Sequence, residues 1–189
     1  MPVKGAVVVH ADEACLGNGM EPPTPGGAGG LVEARSGGTL ERRDYFLSEP
    51  DTTNNRMALR SAIAVLELLD PRSSLEFVSD SNYVVLGMNA WVPAWRARGW
   101  RRKGGAIENL DLWQRLVSLA EGRDIRWAKV RGHAGHAKNE YADYLATRAA
   151  REQRESGGLA TSGFLDWLAL ERERGRYLDY DPDAAGESA

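Results

Sequence analysis

Residues 7–12 have the sequence VVVHAD, a β-branched run that ends in an acid. Such a short apolar run is typical of a buried strand, so Asp12 is predicted to lie at the carboxyl end of that strand. Residues 75–80, LEFVSD, repeat the pattern and end at Asp80. The two segments predict a sheet in which two strands each end in an aspartate, a common place for chemistry.

Strands and helices are predicted on both sides of these two segments. Three further strands are predicted at Ala28–Arg35, Thr39–Leu47 and Ile125–Val130. Ser36-Gly37-Gly38 predicts a hairpin turn between the first two of them. Apolar residues at helical spacing predict helices at Asn54–Leu69, Ser81–Ala90, Pro93–Arg102, Glu108–Gly122 and Lys138–Glu155. The order βββαβαααβα predicts a layered α/β fold with helices on both faces of the sheet.

The length and composition indicate one globular domain with an appendage. The chain has 189 residues, of which 42% are hydrophobic and 27% charged, and these values are ordinary for a folded domain. We expect a catalytic domain over residues 1–155 and, after a Ser156-Gly157-Gly158 linker, an acidic extension over residues 156–189. The extension is predicted to contain a short helix at Phe164–Arg176, to fray from Asp181 onward, and to dock on the core or on a partner protein.

The sequence predicts a cytoplasmic protein. No apolar run approaches the roughly 20 residues needed to span a bilayer, and no signal-like segment is evident. The single cysteine, Cys15, cannot form an internal disulfide, which fits a reducing compartment. A monomer is expected.

Three aspartates stand where a metal site would be built. Asp12 and Asp80 end strands, and Asp143 lies on a helix that follows a loop rich in glycine and histidine. Clustered carboxylate oxygens suit Mg²⁺ or Mn²⁺. Taken singly, each aspartate could equally cap a turn or a helix.

Five segments in this order resemble type 1 ribonuclease H: ADEACLGN from residue 11, TTNNRMAL from 52, VSDSNYV from 78, NLDLWQRL from 109 and VRGHAGHAKNEYAD from 130. The resemblance covers about Val7–Ala150. It implies a ribonuclease H-like fold, with a five-stranded mixed sheet flanked by helices on both faces. It also implies an endonuclease that hydrolyses the RNA strand of RNA–DNA hybrids with two Mg²⁺ or Mn²⁺ ions. A nuclease for another substrate is an alternative, because several nuclease classes share this arrangement of acids.

The resemblance assigns roles to four side chains. Asp12 would bind both ions, Asp143 would help to hold the ion that activates water, and Asp80 would hold the ion that faces the leaving 3′ oxygen. His133 matches a loop histidine that assists proton transfer or product release. His136 is interpreted as a solvated or capping residue.

Ala58 departs from the family pattern. The family has a glutamate there that binds metal and contacts the RNA 2′-hydroxyl, so we expect weakened activity. An inactive hybrid-binding module, natural or engineered, is the alternative. Glu140, on the helix face of Asp143, is predicted to be a better substitute than Glu13, because strand alternation turns Glu13 away from Asp12.

Two groups of residues are predicted to bind nucleic acid. The segment Trp91–Lys103 interleaves tryptophans and arginines and resembles the family's basic protrusion; its predicted contacts are Trp91, Trp95, Arg96, Arg98, Trp100 and Arg101. Its alternative reading is an amphipathic helix with buried tryptophans and solvated arginines. The second group matches family positions along the hybrid backbone and minor groove: Cys15, Asn18, Thr53, Asn54, Asn55 and Asn82. Asn54 and Asn55 would also serve as helix caps.

Overall fold

The structure, a computed structural model, describes residues 6–17, 19–130 and 135–184. Its strands are β1 (Ala6–Cys15), β2 (Gly26–Ser36), β3 (Thr39–Glu49), β4 (Ser74–Ser79), β5 (Ile125–Lys129) and β6 (Ala160–Thr161). They form one sheet in the order β5-β4-β1-β2-β3-β6. Strands β1, β4 and β5 are parallel, whereas β2, β3 and β6 pair antiparallel. The carboxyl ends of β1, β4 and β5 therefore meet at one edge of the sheet. We call it the catalytic edge because Asp12 and Asp80, which are predicted to be catalytic, lie there.

The first three strands form an antiparallel meander. The turn between β2 and β3 contains Gly37 and Gly38, both with positive φ, of 58° and 84°. Glycine adopts this backbone conformation without steric cost, and the matching twist keeps the two strands paired. The meander supplies the long central strands against which the helices pack.

The helices are α1 (Asn54–Leu68), α2 (Asn82–Leu86), α3 (Val92–Ala97), α4 (Leu110–Ala120), α5 (Ala137–Glu152) and α6 (Phe164–Glu173). Helix α1 begins after Thr53, whose hydroxyl accepts a hydrogen bond from the Arg56 amide. Helices α1 and α4 cover one face of the sheet, and α5 with α6 covers the other. The α/β fold and the helices on both faces are as predicted.

Two hydrophobic clusters lie on opposite faces of the sheet. The larger cluster packs side chains of β1 and β2 against α1 and α4, with Met57 and Trp113 fully buried. The smaller cluster joins Leu31 to Tyr141 of α5 and Phe164 of α6. Glycines of β2 admit α5 closely: a Cβ at Gly27 would lie only 2.3 Å from the Ala146 carbonyl oxygen. This close approach sets the position of the helix that carries Asp143.

The helical segment after β4 differs from the sequence prediction. Residues 82–97 run continuously through α2, a π-helical turn at Gly87–Trp91, and α3. Two separate helices, the second reaching Arg102, were predicted; this part of the prediction is wrong. Gly87, the first residue of the π turn, lies against the Trp113 ring, where a Cβ would lie 2.0 Å from a ring carbon.

The C-terminal arm, residues 156–184, packs on the domain. Its strand β6 pairs with Arg43 and Asp44 of β3, so the sheet has six strands rather than the predicted five. Of the segment predicted to fray, residues 181–184 are described, and there Asp183 accepts hydrogen bonds from Arg35 and Arg42. Residues 185–189 lie outside the described residues. Among the described residues, no helix is long and apolar enough to cross a membrane.

Candidate active site and nucleic-acid interface

Asp12 lies near the end of β1, with 6% of its surface exposed. One carboxylate oxygen accepts a hydrogen bond of 2.8 Å from the Glu13 amide. The other receives a long contact of 3.5 Å from the Asn139 side-chain amide, on α5. The Asp12 side chain therefore points toward the face of the sheet that α5 covers.

Asp80 and Asp143 lie close to Asp12. Asp80 directly follows β4, the parallel neighbour of β1, and Asp143 lies on α5; both are half-buried. Burial, followed by the carboxylates of Asp80, Glu13 and Asp143, raises the pKa of Asp12 to about 8, against the hydrogen bond from the Glu13 amide. The three predicted acids thus share one electrostatic environment at the catalytic edge.

The arrangement of these acids is looser than a closed metal cage. Within the part of the chain that the structure describes, no three His, Cys, Asp or Glu side chains are placed to hold one ion among themselves. Magnesium is commonly bound by one or two carboxylates together with water and substrate phosphate oxygens. Carboxylates that act on one another along this edge, such as Asp12 and Asp80, are compatible with that mode of binding.

Glu13 occupies the face of the sheet opposite the Asp12 side chain. Its strand partner Ala28 belongs to the core cluster that also contains Ala58 and Tyr45, and the charge of Glu13 acts on Tyr45. Burial and then the Asp80 carboxylate raise the pKa of Glu13 to about 7, partly offset by a hydrogen bond with the Ser81 side chain. Glu13 therefore lies beside Asp80 on the face that α1 covers.

Ala58 stands where the family has a glutamate, and Glu140 is the predicted substitute for that missing carboxylate. Ala58 is 2% exposed in the α1 layer, so its methyl group contributes packing and no ligand. Glu140 forms an ion pair with Arg176 of the C-terminal arm. This ion pair engages the Glu140 carboxylate with the arm, whereas Glu13 lies beside Asp80. Which of the two replaces the missing glutamate stays a prediction. Strand alternation gave the face of β1 on which Glu13 lies, but not the helix that covers that face.

The structure describes two of the three histidines, His10 and His136. His133 lies outside the described residues, as does Asn18. His10 is 6% exposed; burial first, and then the charges of Lys138 and His136, lower its pKa to about 3. His10 is thus neutral at physiological pH and packs as a structural residue. His136 is the residue before α5, and its carbonyl accepts a hydrogen bond from the Glu140 amide.

The predicted backbone-contacting residues lie around the catalytic edge. Thr53 and Asn55 are exposed at the start of α1, and Asn54 beside them has a buried side-chain oxygen without a hydrogen-bond partner among the described residues. Asn82 is exposed at the start of α2, two residues after Asp80. Cys15 is half-buried, and its thiol contacts the Thr24 and Thr52 carbonyls at 3.6 and 3.3 Å. The Cys15 thiol thus contacts the backbone of two neighbouring loops beside this surface.

The basic protrusion combines both readings of its sequence. Its tryptophans are half-buried and pack on the domain: Trp91 contacts Tyr83, and Trp95 contacts Trp113. Its cations are solvent-exposed at Arg96, Arg98, Arg101, Arg102 and Lys103, and Arg96 forms an ion pair with Glu121. The segment therefore presents a positive surface on an aromatic base.

The comparisons with known proteins agree with this fold. The sequence model of the RNase H family matches residues 4–151, most of the chain. The chain belongs to the type 1 ribonuclease H family. The predicted family and the predicted fold class are both confirmed, and the prediction of a ribonuclease H enzyme is supported at the level of the family.

Relatives from bacteria align over most of this family domain. The ribonuclease H of Thiobacillus denitrificans is 43% identical over 150 residues, which are 79% of this chain and 96% of the relative. That of Methylorubrum extorquens is 46% identical over 145 residues, 77% of this chain, but the chain spans only 60% of that relative's length. The alignments cover the ribonuclease H domain and leave part of this chain unmatched.

A solved structure aligns over the whole chain. LC9-RNase H1, described as a type 1 RNase H with the type 2 active-site motif, is 46% identical, with a TM-score of 0.83, and the alignment covers 100% of this chain and 99% of that one. The ribonuclease H domain of a foamy virus is 17% identical, with a TM-score of 0.62 over 77% of this chain and 94% of that one, and shares the fold.

Proposed function

We propose that this chain is a metal-dependent endoribonuclease that cleaves the RNA strand of RNA–DNA hybrids, and that Glu13 supplies the carboxylate that Ala58 lacks. The observation that carries the proposal is the position of Glu13. It is half-buried on the α1 face of β1, beside Asp80, and it acts electrostatically on Asp12. On this proposal the site keeps four acids, with one acid moved from helix to strand.

The side chains present suit divalent cations. Asp12, Glu13, Asp80 and Asp143 offer hard oxygen donors, and the raised pKa values of Asp12 and Glu13 reflect burial together with like charges that a cation would offset. Asn139 adds a buried side-chain oxygen without a hydrogen-bond partner among the described residues, on the amide that contacts Asp12. When bound, two divalent ions would stabilise the attacking and leaving oxygens of a phosphoryl displacement.

The chain's own residues position the hybrid around this edge. Exposed arginines of the basic protrusion neutralise backbone phosphates. Thr53, Asn55 and Asn82 offer uncharged donors and acceptors suited to the sugar-phosphate backbone and the 2′-hydroxyls of RNA. By family resemblance, His133 assists proton transfer or product release. The reaction leaves a 5′ phosphate and a 3′ hydroxyl on the RNA.

The relative LC9-RNase H1 supports a rearranged site. It is described as a type 1 enzyme that carries the type 2 active-site motif, so a type 1 framework accommodates a different set of active-site residues. Its alignment covers the whole of this chain at 46% identity. We infer that alanine at position 58 is a natural feature of an active enzyme rather than an inactivating substitution.

A labelled RNA–DNA hybrid incubated with Mg²⁺ or Mn²⁺ tests the proposal. The unmodified chain should cut the RNA strand, and Glu13→Gln should lower kcat by at least about 100-fold, the upper end of what loss of an outer-sphere partner costs. The double variant Glu13→Ala with Ala58→Glu should recover part of this loss by returning the carboxylate to α1.

Glu140→Gln is the matched control, because it removes a carboxylate that is paired with Arg176. Its cleavage rate should stay close to that of the unmodified chain. Equal rates for the Glu13→Gln variant and the unmodified chain would reject the role of Glu13.

A non-cleaving hybrid-binding module is the second candidate, favoured by Ala58 alone. Hybrid binding without cleavage in either metal, together with cleavage created by Ala58→Glu, would establish it. Absence of both binding and cleavage would reject both functions.

A further inference from the structure

Lys129 ends the strand next to Asp80. The sheet order places β5 beside β4, and the parallel register pairs Lys129 with Ser79, the residue before Asp80. Neighbouring strands are about 4.8 Å apart. Asp12, Asp80 and Lys129 thus follow one another along the catalytic edge on three adjacent strands, and Lys129 is exposed.

The ammonium group of Lys129 is already held at this edge. Its Nζ donates a hydrogen bond of 2.6 Å to the side-chain oxygen of Asn82, at the start of α2. The bond occupies the acceptor of the Asn82 amide and leaves the amide NH₂ as a donor. One cation and one amide donor therefore stand together beside the acids, both solvent-exposed.

We infer that Lys129 binds a phosphate of the nucleic-acid backbone next to the cleaved position and orients Asn82 as a second donor to that backbone. The inference rests on the proposed function. Acids at the catalytic edge repel the backbone wherever a cation does not screen them, and an ammonium one strand beyond Asp80 opposes that repulsion. A lysine is a compact point charge well suited to a single phosphate.

Arg126 is a second exposed cation on this strand and lies away from the acids of the catalytic edge. It lies at the opposite end of β5 from the catalytic edge, is exposed, and forms an ion pair with Glu76 at 3.2 Å. Removing Arg126 changes the net charge by the same amount as removing Lys129. The two positions therefore separate a local phosphate contact from a general change in charge.

Hybrid affinity measured over a series of KCl concentrations tests the inference. Fluorescence anisotropy of a labelled RNA–DNA hybrid, with a chelator present, gives Kd without cleavage. Lys129→Ala should raise Kd about tenfold, which is the effect of losing one charge-assisted contact. It should also reduce the slope of log Kd against log salt by about 1, the share of one phosphate contact. Lys129→Arg should retain most of the affinity, and Arg126→Ala should leave the slope unchanged.

A double-variant cycle tests the part played by Asn82. If Lys129 orients the Asn82 amide, the double variant Lys129→Ala with Asn82→Ala raises Kd by a smaller factor than the product of the factors for the two single variants. Full additivity would reject the orienting role, and equal slopes for Lys129→Ala and Arg126→Ala would reject the phosphate contact. Hybrid cleavage by the unmodified chain tests the proposed function separately, and failure of that chain to bind hybrid at all would overturn both.

Discussion

Asp44 is a buried carboxylate that joins three parts of the molecule. It lies on β3 with 4% of its surface exposed and accepts hydrogen bonds from Tyr141 of α5 at 2.6 Å and from Ser162 at 2.7 Å. The Gly163 amide adds a third bond, at 2.9 Å. Burial raises the pKa of Asp44 above its usual value, and these three hydrogen bonds offset only part of that rise. A buried carboxylate is tolerated where its lone pairs are satisfied in this way.

Tyr141→Phe should lower the free energy of unfolding by about 1–3 kcal/mol, because the buried Asp44 carboxylate loses one of its donors. Urea unfolding followed by circular dichroism measures the change. Tyr144→Phe is the matched control, since Tyr144 lies on the same helix but is 42% exposed; it should change stability by less than about 0.5 kcal/mol. Equal effects of the two substitutions would contradict the role given to Asp44.

At the residue scale, the sequence predicted Asp12, Asp80 and Asp143 because each lies in a motif or ends a strand. It did not predict that Glu13 faces α1, since alternation along β1 was judged only relative to Asp12. The outcome depends on which helix covers the other face, and that is a property of the folded sheet. A residue pattern of period two gives the face but not the element packed on it.

At the element scale, the basic protrusion depends on a helix that changes its winding. The π-helical turn at Gly87–Trp91 connects α2 to α3 and brings Gly87 onto the Trp113 ring. The sequence predicted two separate helices here, one ending at Ala90 and one beginning at Pro93. In the structure Pro93 lies in the first turn of α3, and the backbone is continuous through it. The packing of Gly87 on a residue of α4 could not be predicted from local sequence.

Gly87→Ala should displace the protrusion, because the added Cβ would lie 2.0 Å from the Trp113 ring. We expect a loss of stability of about 1–3 kcal/mol, typical of overpacking, and a higher KM for hybrid with a smaller change in kcat. Thermal unfolding and steady-state cleavage measure the two effects. Ala90→Ser, on the exposed side of the same turn, should change neither, and an unchanged KM in Gly87→Ala would show that the protrusion tolerates the shift.

At the scale of the whole molecule, the C-terminal arm forms part of the fold. Phe164 and Leu168 are buried in the cluster that contains Tyr141, and Glu171, 4% exposed, accepts hydrogen bonds from Arg174 and Arg176. The sequence predicted the arm's helix from its apolar spacing. It did not predict the two-residue strand β6 or the contacts of Asp183, because both depend on partners more than 100 residues away in the chain.

A chain that ends after Gly158 should therefore be less stable yet bind hybrid with little change in affinity when folded. Loss of Phe164 and Leu168 alone removes about 3–6 kcal/mol of hydrophobic stabilisation, at about 1.5–3 kcal/mol for each buried side chain. Urea unfolding measures the stability, and anisotropy at low temperature measures the Kd of the folded chain. Phe164→Ala should reproduce a large share of the loss, whereas Leu165→Ala, at a position that is 52% exposed, should not.

Because α5 carries both Asp143 and the arm's partners Glu140 and Tyr141, a fall in kcat of the folded truncated chain would show that the arm also positions the catalytic helix. Unchanged stability would instead support the predicted boundary at residue 155, with the arm as an appendage.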